Sequence, residues 1–412
     1  MENPDRILAF ALDMGTKILA CGGETRRAED TLTRICKAYG ASSVDTAAVN
    51  SLFTATIRIG GNYYTQTRRI EFGRNNFYRL EELNALSRKV CAEPIPLDSA
   101  TAKMDNIGKS YPYGKLFVYI GAIIATSSSS VFFGGSILDG LAAAVIGLMV
   151  AFFDLHKIRN LNPLVNTLLL SLGSGLAATL LLKMGIGQNT DKVFIGIIMM
   201  LIPGLATVNA IRDLLGGDLM TGLFRLLQAL ITATAIAYGF ALAVRFGGEA
   251  SQGLPAYDPW ITPIFSSLTL TTGFALLFRA KRKRLPVILP GSLITIVIYL
   301  LLRNATHNEF ISTMAATTFM TMYAEVAARL CKAPVTVLLI LGIIALVPGG
   351  SLYYTMTALV RGDYAAFQSY GSATVEAVLG ISIGVIIVSV VTIIFFQVLR
   401  YIQKKSHSRK VG

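Results

Sequence analysis

The spacing of hydrophobic positions changes once along this chain, near residue 115. Before that point the apolar residues alternate with polar ones at helical or strand periods. Ile7, Leu8, Phe10, Ala11, Met14 and Ile18 recur on one helical face. A second helix is predicted over 26–39, with Thr25 as its N-cap and Leu32, Ile35, Cys36 and Tyr39 turned inward. Strands are predicted at Asp45–Val49, Phe53–Ile59 and Tyr63–Ile70, the last two joined by a Gly60-Gly61-Asn62 turn. A third helix over 77–91 carries Leu80, Leu83, Leu86 and Val90. Pro94, Pro96 and Pro112 mark a linker. Residues 1–112 therefore read as a small α/β domain.

Beyond the linker, apolar runs of 17 to 25 residues follow one another to Arg400. Runs of that length cross a bilayer core of about 30 Å as helices. Ten spans are predicted, near 116–133, 135–153, 164–183, 193–209, 220–244, 262–278, 285–302, 310–328, 333–352 and 373–399. They divide into a five-helix module over 113–250 and a second over 251–412, the latter ending in a basic tail. The fold expected is thus an α-helical integral membrane protein, a five-plus-five inverted repeat carrying a small N-terminal α/β domain.

The loops set the orientation. Arg279, Lys281, Arg282, Lys283 and Arg284 crowd the loop after the sixth span. Lys157 and Arg159 follow the second, Arg329 and Lys332 the eighth, and Lys404, Lys405, Arg409 and Lys410 fill the tail. The alternate loops are nearly neutral: Arg245 with Glu249 and Asp258, Arg303 with Glu309, Arg361 with Asp363. The positive-inside rule then places both termini in the cytoplasm, and residue Ser251 outside, in a multi-pass protein of the cell membrane. Asp5, Arg6 and Asp13 interrupt the first residues, so no signal peptide is expected.

The two modules echo one another. Leu201-Ile202-Pro203-Gly204 matches Leu346-Val347-Pro348-Gly349 at an offset of 145 residues, and at the same register Gly217-Asp218 falls on Gly362-Asp363 and Gly239 on Gly384. Five spans per module force the second module into the bilayer upside down relative to the first. Helix breakers at matching places in two inverted halves are the pattern of secondary transporters, whose site lies near the midplane. A proline in a helix interior frees backbone groups that survive in a membrane only where protein or water satisfies them. Pro203-Gly204 and Pro348-Gly349 therefore either line the solute path or mark a tight packing contact.

Composition agrees with a membrane protein: 412 residues, 53% hydrophobic, 15% charged and a mean hydropathy of +0.58. A soluble protein carries about a quarter charged residues. The net charge of +13 follows from cytoplasmic loops, so no nucleic-acid partner is expected. Cys21, Cys36, Cys91 and Cys331 show no metal-binding or redox spacing and read as reduced thiols. There is no P-loop, no HExxH and no GxSxG, and Gly216-Gly217-Asp218 lacks the spacing of an intramembrane aspartyl protease. Neither an enzyme nor a cofactor is expected.

Candidate chemistry lies in the spans. Ser127, Ser128 and Ser130 belong to a hydroxyl cluster that either meets a polar solute or packs helices and bonds its own backbone. Ser266, Ser267, Thr269, Thr271 and Thr272 form a milder one. Ionisable residues in spans are costly and mark function by default. Asp154, Arg212, Asp213 and Asp218 are expected at the solvated cytoplasmic edge, Asp139 at the start of the second span, and Glu325 and Glu376 deeper. Glu325, Glu376, Asp218 and Asp363 are the candidate coupling carboxylates, with an ion pair to Arg329 as the plainer reading of Glu325. In the N-terminal part, Arg26, Arg27, Glu29 and Asp30, with Arg58, Arg68, Arg69, Arg74 and Arg79, make either an anion-binding or a solvated, paired surface.

These residues resemble the threonine/serine exporter family in its fused form, with both membrane modules in one chain. Arg27, Glu29, Asp30 and Thr31 match its Arg-x-Glu-Asp-Thr motif. Phe133-Gly134-Gly135-Ser136 is similar to its turn after the first span. Pro203, Gly204, Asn209, Arg212, Asp213, Gly217, Asp218 and Gly222 resemble its Pro-Gly block, and the second half resembles the partner module that ends in Pro348-Gly349. The resemblance implies export of small amino acids driven by the proton gradient. Relatives split into two proteins resemble dicarboxylate (succinate) exporters. The solute site implied comprises Ser127, Ser128, Ser130, Pro203, Gly204, Asn209, Arg212, Asp213, Pro348 and Gly349. A small-molecule solute, a proton or other coupling ion and the bilayer are the expected partners, with a homo-oligomer left open. A membrane-anchored sensor or enzyme working through residues 1–110 is the reading from another class.

Overall fold

The computed structural model describes residues 2–411 except 50, 72, 74, 110–113, 157–160, 216 and 248–259, and only the backbone of 205, 247, 393 and 396–411. The readings placed on Arg74, Pro112, Lys157, Arg159, Gly216, Glu249, Ser251 and Asp258, and on the side chains of Lys404, Lys405, Arg409 and Lys410, lie outside the described residues.

The N-terminal layer runs α1 (Pro4–Ala20), α2 (Thr25–Ala38), β1 (Ser43–Val49), β2 (Leu52–Ile59), β3 (Asn62–Arg69), α3 (Phe77–Ala92) and α4 (Leu97–Lys109). The strands pair antiparallel in the order β1-β2-β3. Gly60 and Gly61, at φ 60° and 88°, make the turn between the paired Ile59 and Asn62. Alternation buries Phe53, Ala55 and Ile57 on one sheet face; α1 packs there, with Gly15 against the Phe53 ring. Two expectations change. Glu24, in extended backbone, is the N-cap of α2, and Thr25 is its first helical residue. The stretch after Pro96 is helix α4 rather than linker, because Leu97, Ala100 and Met104 recur at helical spacing and are buried.

The remainder is helical: α5 (Lys115–Phe132), α6 (Ile137–Leu155), α7 (Pro163–Lys183), α8 (Thr190–Leu201), α9 (Gly204–Leu215), α10 (Leu219–Gly247), α11 (Ile261–Leu277), α12 (Leu285–Thr306), α13 (Glu309–Cys331), α14 (Val335–Gly342), α15 (Gly349–Arg361) and α16 (Tyr364–Val411). By length and composition six of these can cross a membrane, or eight if α8–α9 and α14–α15 each count as one bent span. The bends measure 55° and 48°. Two of the ten expected spans fall short of that measure. α11 has 17 residues, and α13 is diluted in apolar character by Ser312, Thr313, Thr317, Thr318, Thr321 and Glu325.

Contacts with the N-terminal layer fix which helix ends lie together. The Phe77 amide donates to the Phe278 carbonyl at 2.8 Å. Glu81, buried on α3, accepts from Arg284 at 2.5 Å and Lys281 at 3.1 Å. Thr221 donates to the Ala48 carbonyl at 3.2 Å, and Arg88 to the Lys332 carbonyl at 3.2 Å. So α11 and α13 run toward this layer, and α10 and α12 run away from it.

The sequence echo has local counterparts in the structure. α9 and α15 begin at Gly204 and Gly349, and α10 and α16 at Leu219 and Tyr364, all at the 145-residue offset. The Asp218 amide donates to the Asp213 carbonyl, and the Asp363 amide to that of Ala358, both at 2.9 Å. Gly217 and Gly362 both hold a positive φ, at 98° and 73°, in these helix-ending turns. Gly239 lets α10 approach the Leu168 carbonyl of α7, and Gly384 lets α16 approach the Met314 carbonyl of α13. Between the halves, α5 and α11 cross with backbones nearly touching. A Cβ on Gly121 would stand 2.6 Å from the Leu277 nitrogen, and one on Gly273 2.5 Å from that of Ala125.

Candidate functional site

The first Pro-Gly separates α8 from α9; the second follows a 3-10 turn over Ile344–Leu346, which continues from α14, and starts α15. Pro203 has no N–H to donate, so α8 stops at Leu201 and Ile202 turns to extended backbone. The Pro203 carbonyl then accepts from the Thr207 amide at 2.9 Å and its hydroxyl at 3.0 Å. Val347 is extended in the same way, and the Pro348 carbonyl accepts from the Leu352 amide at 3.1 Å. The two breaks meet. A Cβ on Gly204 would lie 2.5 Å from Val347, and one on Gly349 would lie 2.5 Å from the Met199 sulfur and 3.1 Å from Ile202.

A cavity of about 470 Å³ opens beside this junction. Pro203, Gly204 and Asn209 line it from the first break, and Ile344 and Val347 from the second. Asn166 and Thr167 of α7 and Arg225, Gln228 and Thr232 of α10 contribute polar groups; Met199, Met200, Phe274 and Phe278 are apolar wall. The cavity reaches Gly22, Gly23 and Asn75 in the N-terminal layer. Among the described residues, Asp154 and Arg225 are the charged ones in its lining. This mix of apolar wall and few polar groups suits a small polar solute.

On the far side of the breaks the packing is aromatic. Phe194 and Phe240 meet tilted at 4.7 Å between centroids, Phe240 meets Tyr353 at 6.1 Å, and Tyr354 stacks on Tyr370 at 4.9 Å. The Phe133 ring lies 3.2 Å from the position a Gly350 Cβ would take. Asp139, fully buried there, accepts from the amides of Ser136, Gln188 and Asn189 at 2.8, 2.5 and 2.8 Å. It staples the turn before α6 to the loop before α8.

An ion-pair network closes the cavity's near side. Arg225 donates to Asp213 at 2.6 Å and to the Thr25 hydroxyl at 3.1 Å. Arg212 pairs with Glu24 at 2.7 Å. Glu24 also pairs with Arg27 at 3.3 Å and accepts from Thr336 of α14 at 2.8 Å. Glu29 accepts from the Ala48 amide at 3.0 Å. The start of α2 is thereby tied to α9, α10 and α14, the elements that flank both breaks. Burial alone would raise the Glu24 pKa. The Arg212 and Arg27 guanidinium groups and the Thr336 hydroxyl outweigh it and hold the carboxyl at about 2. For Glu29 burial outweighs the Ala48 amide and the nearby Arg26 and pushes its carboxyl up, aided by Asp218 and Asp213.

The other sequence candidates fall in different places. Ser127 donates to the Ile124 carbonyl at 3.2 Å. Ser128 is buried, and the Ser130 hydroxyl is buried without a hydrogen-bond partner among the described residues. Gly196 of α8 packs on Ser130 and Thr126, so this face of α5 is a helix contact; none of the three serines lines the cavity. Arg212 and Asp213 are ion-paired rather than solvated, because α2 covers them. Pro348 and Gly349 stand behind Val347. Glu325 pairs with Arg329 at 3.0 Å near the end of α13. Glu376 is half-buried on α16 in the neighbourhood of Glu309, which Arg303 pairs at 3.2 Å. Asp218 and Asp363 are exposed at the starts of α10 and α16, where Asp363 accepts from the Ala366 amide at 3.0 Å.

Asn166, Gln228 and Thr232 were not singled out in the sequence. Gln228 is the one amide side chain in α10, one turn from Arg225 and one from Thr232, so a polar stripe at helical spacing was there to be read.

A family model described as "Putative threonine/serine exporter" matches residues 9–247. A second, described as "Threonine/Serine exporter, ThrE", matches residues 263–391. The chain belongs to the threonine/serine exporter family. Among its curated relatives is a "Probable threonine/serine exporter" of Mycobacterium tuberculosis, 21% identical over 60% of this chain and 47% of that protein. The "Threonine/serine exporter" of Corynebacterium glutamicum is 23% identical over 47% of this chain and 40% of its own length. The chain thus spans about half the length, or less, of these two exporters. The "Probable succinate transporter subunit YjjP" of Escherichia coli is 22% identical over 60% of this chain and 97% of its own length. No solved structure gives a significant match to the chain. Membership in this exporter family, together with several apolar helices, makes the chain a multi-pass membrane protein with a small-molecule solute.

Proposed function

We infer that this exporter carries threonine and serine outward across the cell membrane, as a secondary antiporter coupled to protons. The observation that supports this most is the cavity beside the joined Pro-Gly breaks. The charged residues of its lining among the described residues, Arg225 and Asp154, are of opposite sign. A zwitterion presents one carboxylate and one ammonium, so the pair suits it. Asn166, Asn209, Gln228 and Thr232 stand ready for a side-chain hydroxyl.

The architecture proposed is an inverted repeat of two five-helix modules, 113–250 and 251–412, below a cytoplasmic layer formed by 1–112. The reciprocal contact of Gly204 with Val347 and of Gly349 with Ile202 supports it, since a two-fold relation produces such reciprocity. With the cavity reaching the N-terminal layer and aromatic packing beyond the breaks, this is the inward-facing state. Moving a neutral zwitterion up its gradient needs a coupling ion. Glu325, Glu376, Asp218 and Asp363 remain the carboxylates to test.

A dicarboxylate is the second reading, favoured by the YjjP relative. It calls for excess positive charge at the solute, whereas the Arg225 charge is balanced by Asp213 and by Asp154 in the same lining, which suits a ligand of no net charge better than a dianion. Counterflow in proteoliposomes preloaded with labelled threonine, serine or succinate decides between them. Exchange of succinate alone overturns the amino-acid reading.

A further inference from the structure

A second cleft, of about 760 Å³, lies away from the central cavity, where α2 and α3 meet the end of α13 and the start of α14. Arg27, Arg34, Arg88, Arg329 and Lys332 line it. Among the described lining residues Asp30 and Glu325 are the carboxylates, so the lining carries three positive charges in excess, one of them, on Arg27, shared with Glu24 outside it. Arg34 and Arg329 use those carboxylates, at 2.9 and 3.0 Å, and Arg88 donates to the Lys332 carbonyl. The Lys332 ammonium has no ion-pair partner among the described residues, and its backbone, at φ 52°, is held in the left-handed region.

Directly beside the cleft, α13 turns an apolar ladder outward. Met322, Val326 and Leu330 are 57%, 58% and 80% exposed, at a spacing of four that sets them on one helix face. The ladder ends one residue from Arg329 and two from Lys332. Cations at the end of an exposed apolar stripe are the two halves of a lipid site: acyl chain on the stripe, headgroup phosphate among the cations.

We propose that this cleft binds the phosphate headgroup of an anionic phospholipid of the leaflet facing the N-terminal layer. The lipid bridges α2 and α3 to α13 and α14. Because Arg27 also pairs with Glu24, occupancy would brace the network that closes the central cavity.

The test uses the full-length purified protein in detergent, with native mass spectrometry counting bound lipid and thermal unfolding as a second readout. Phosphatidylglycerol is expected to bind and raise the unfolding temperature, while phosphatidylcholine and inorganic phosphate do not. Lys332→Asn removes the charge yet suits the left-handed backbone. It should weaken phosphatidylglycerol binding about fivefold, and with Arg34→Gln about thirtyfold, from about 1 kcal/mol per cation. Lys332→Arg should retain it, and Arg58→Gln, distant on the sheet, should change nothing. An equal shift with inorganic phosphate would overturn the lipid in favour of a soluble anion. Equal binding of phosphatidylcholine, or phosphatidylglycerol binding that survives Lys332→Asn with Arg34→Gln, would overturn the site.

Discussion

Gly204 lies against Val347, and the contact leaves no room for a side chain: a Cβ there would be 2.5 Å from the valine methyl. The partner contact, Gly349 against Ile202, repeats it at an offset of 145 residues on both sides. The junction of the two breaks is therefore reciprocal, and movement of either broken helix must be felt by the other.

Substitutions at that junction are expected to stop transport without removing the protein from the membrane. Gly204→Leu and Gly349→Leu should each abolish labelled threonine counterflow, with overpacking that costs about 1–3 kcal/mol. Gly204→Ala should be impaired, and Val347→Ala in the same chain should recover part of the loss by making room. Counterflow at wild-type rate in both leucine variants would reduce the motifs to inert packing.

Arg225 is expected to act on solute affinity. Arg225→Gln should raise the half-saturating concentration for threonine about tenfold or more, from loss of a charge-assisted contact worth about 1.5–3 kcal/mol. Gln228→Leu should discriminate: it should weaken serine and threonine more than alanine, which lacks the hydroxyl. Uptake competition in proteoliposomes measures both.

The tie between α2 and α9 should loosen in acid. Glu24 is held near 2, below the ordinary carboxylate value of 4.5, so its ionised form stabilises the docked layer. That contribution is complete above about pH 4.5 and is lost as the pH falls toward 2; its upper size is about 3 kcal/mol. Amide hydrogen exchange in 25–38 should therefore accelerate between pH 7 and pH 3, after correction for intrinsic rates. Glu24→Gln should be fast at both. An identical pH response in this variant would assign the effect to other groups.

Topology follows from the ends that meet the N-terminal layer. Accessibility labels at Lys283 and Lys332 should report the cytoplasm and labels at His307 and Gln188 the outside. One side for Lys283 and His307 together would break the inverted arrangement.

Coupling is tested by amide replacement. The true coupling carboxylate, converted to its amide, should lose uphill export and keep solute exchange. Glu376→Gln, Glu325→Gln, Asp218→Asn and Asp363→Asn are the set. If all four still respond to an imposed pH gradient, the proton passes elsewhere or another ion is used.

Much of this protein was legible without coordinates. Local periodicity gave the three strands and the first three helices to within two residues at most ends, because burying one face of a strand or helix demands that spacing. Runs of apolar residues located the helices beyond residue 115, of which six to eight, against the ten spans expected, can cross a membrane by length and composition. Pro203 and Pro348 marked the extended residues before α9 and α15, whereas Pro290 stands inside α12; a proline favours a break without dictating one. The 145-residue echo predicted matching turns, and Gly217 and Gly362 make them.

Only the tertiary structure decided what those features face. The serine run of α5 reads either as a solute contact or as helix packing; in the structure Ser127 and Ser129 bond their own helix and Ser130 packs against Gly196, and no local signal distinguishes the two. Glu24 and Arg212 are 188 residues apart in sequence, and nothing in their spacing pairs them until α2 docks on α9. The polar lining of the cavity comes from α7, α9 and α10 together. A cavity is a relation among helices distant in the chain, and sequence spacing records only the face each one presents.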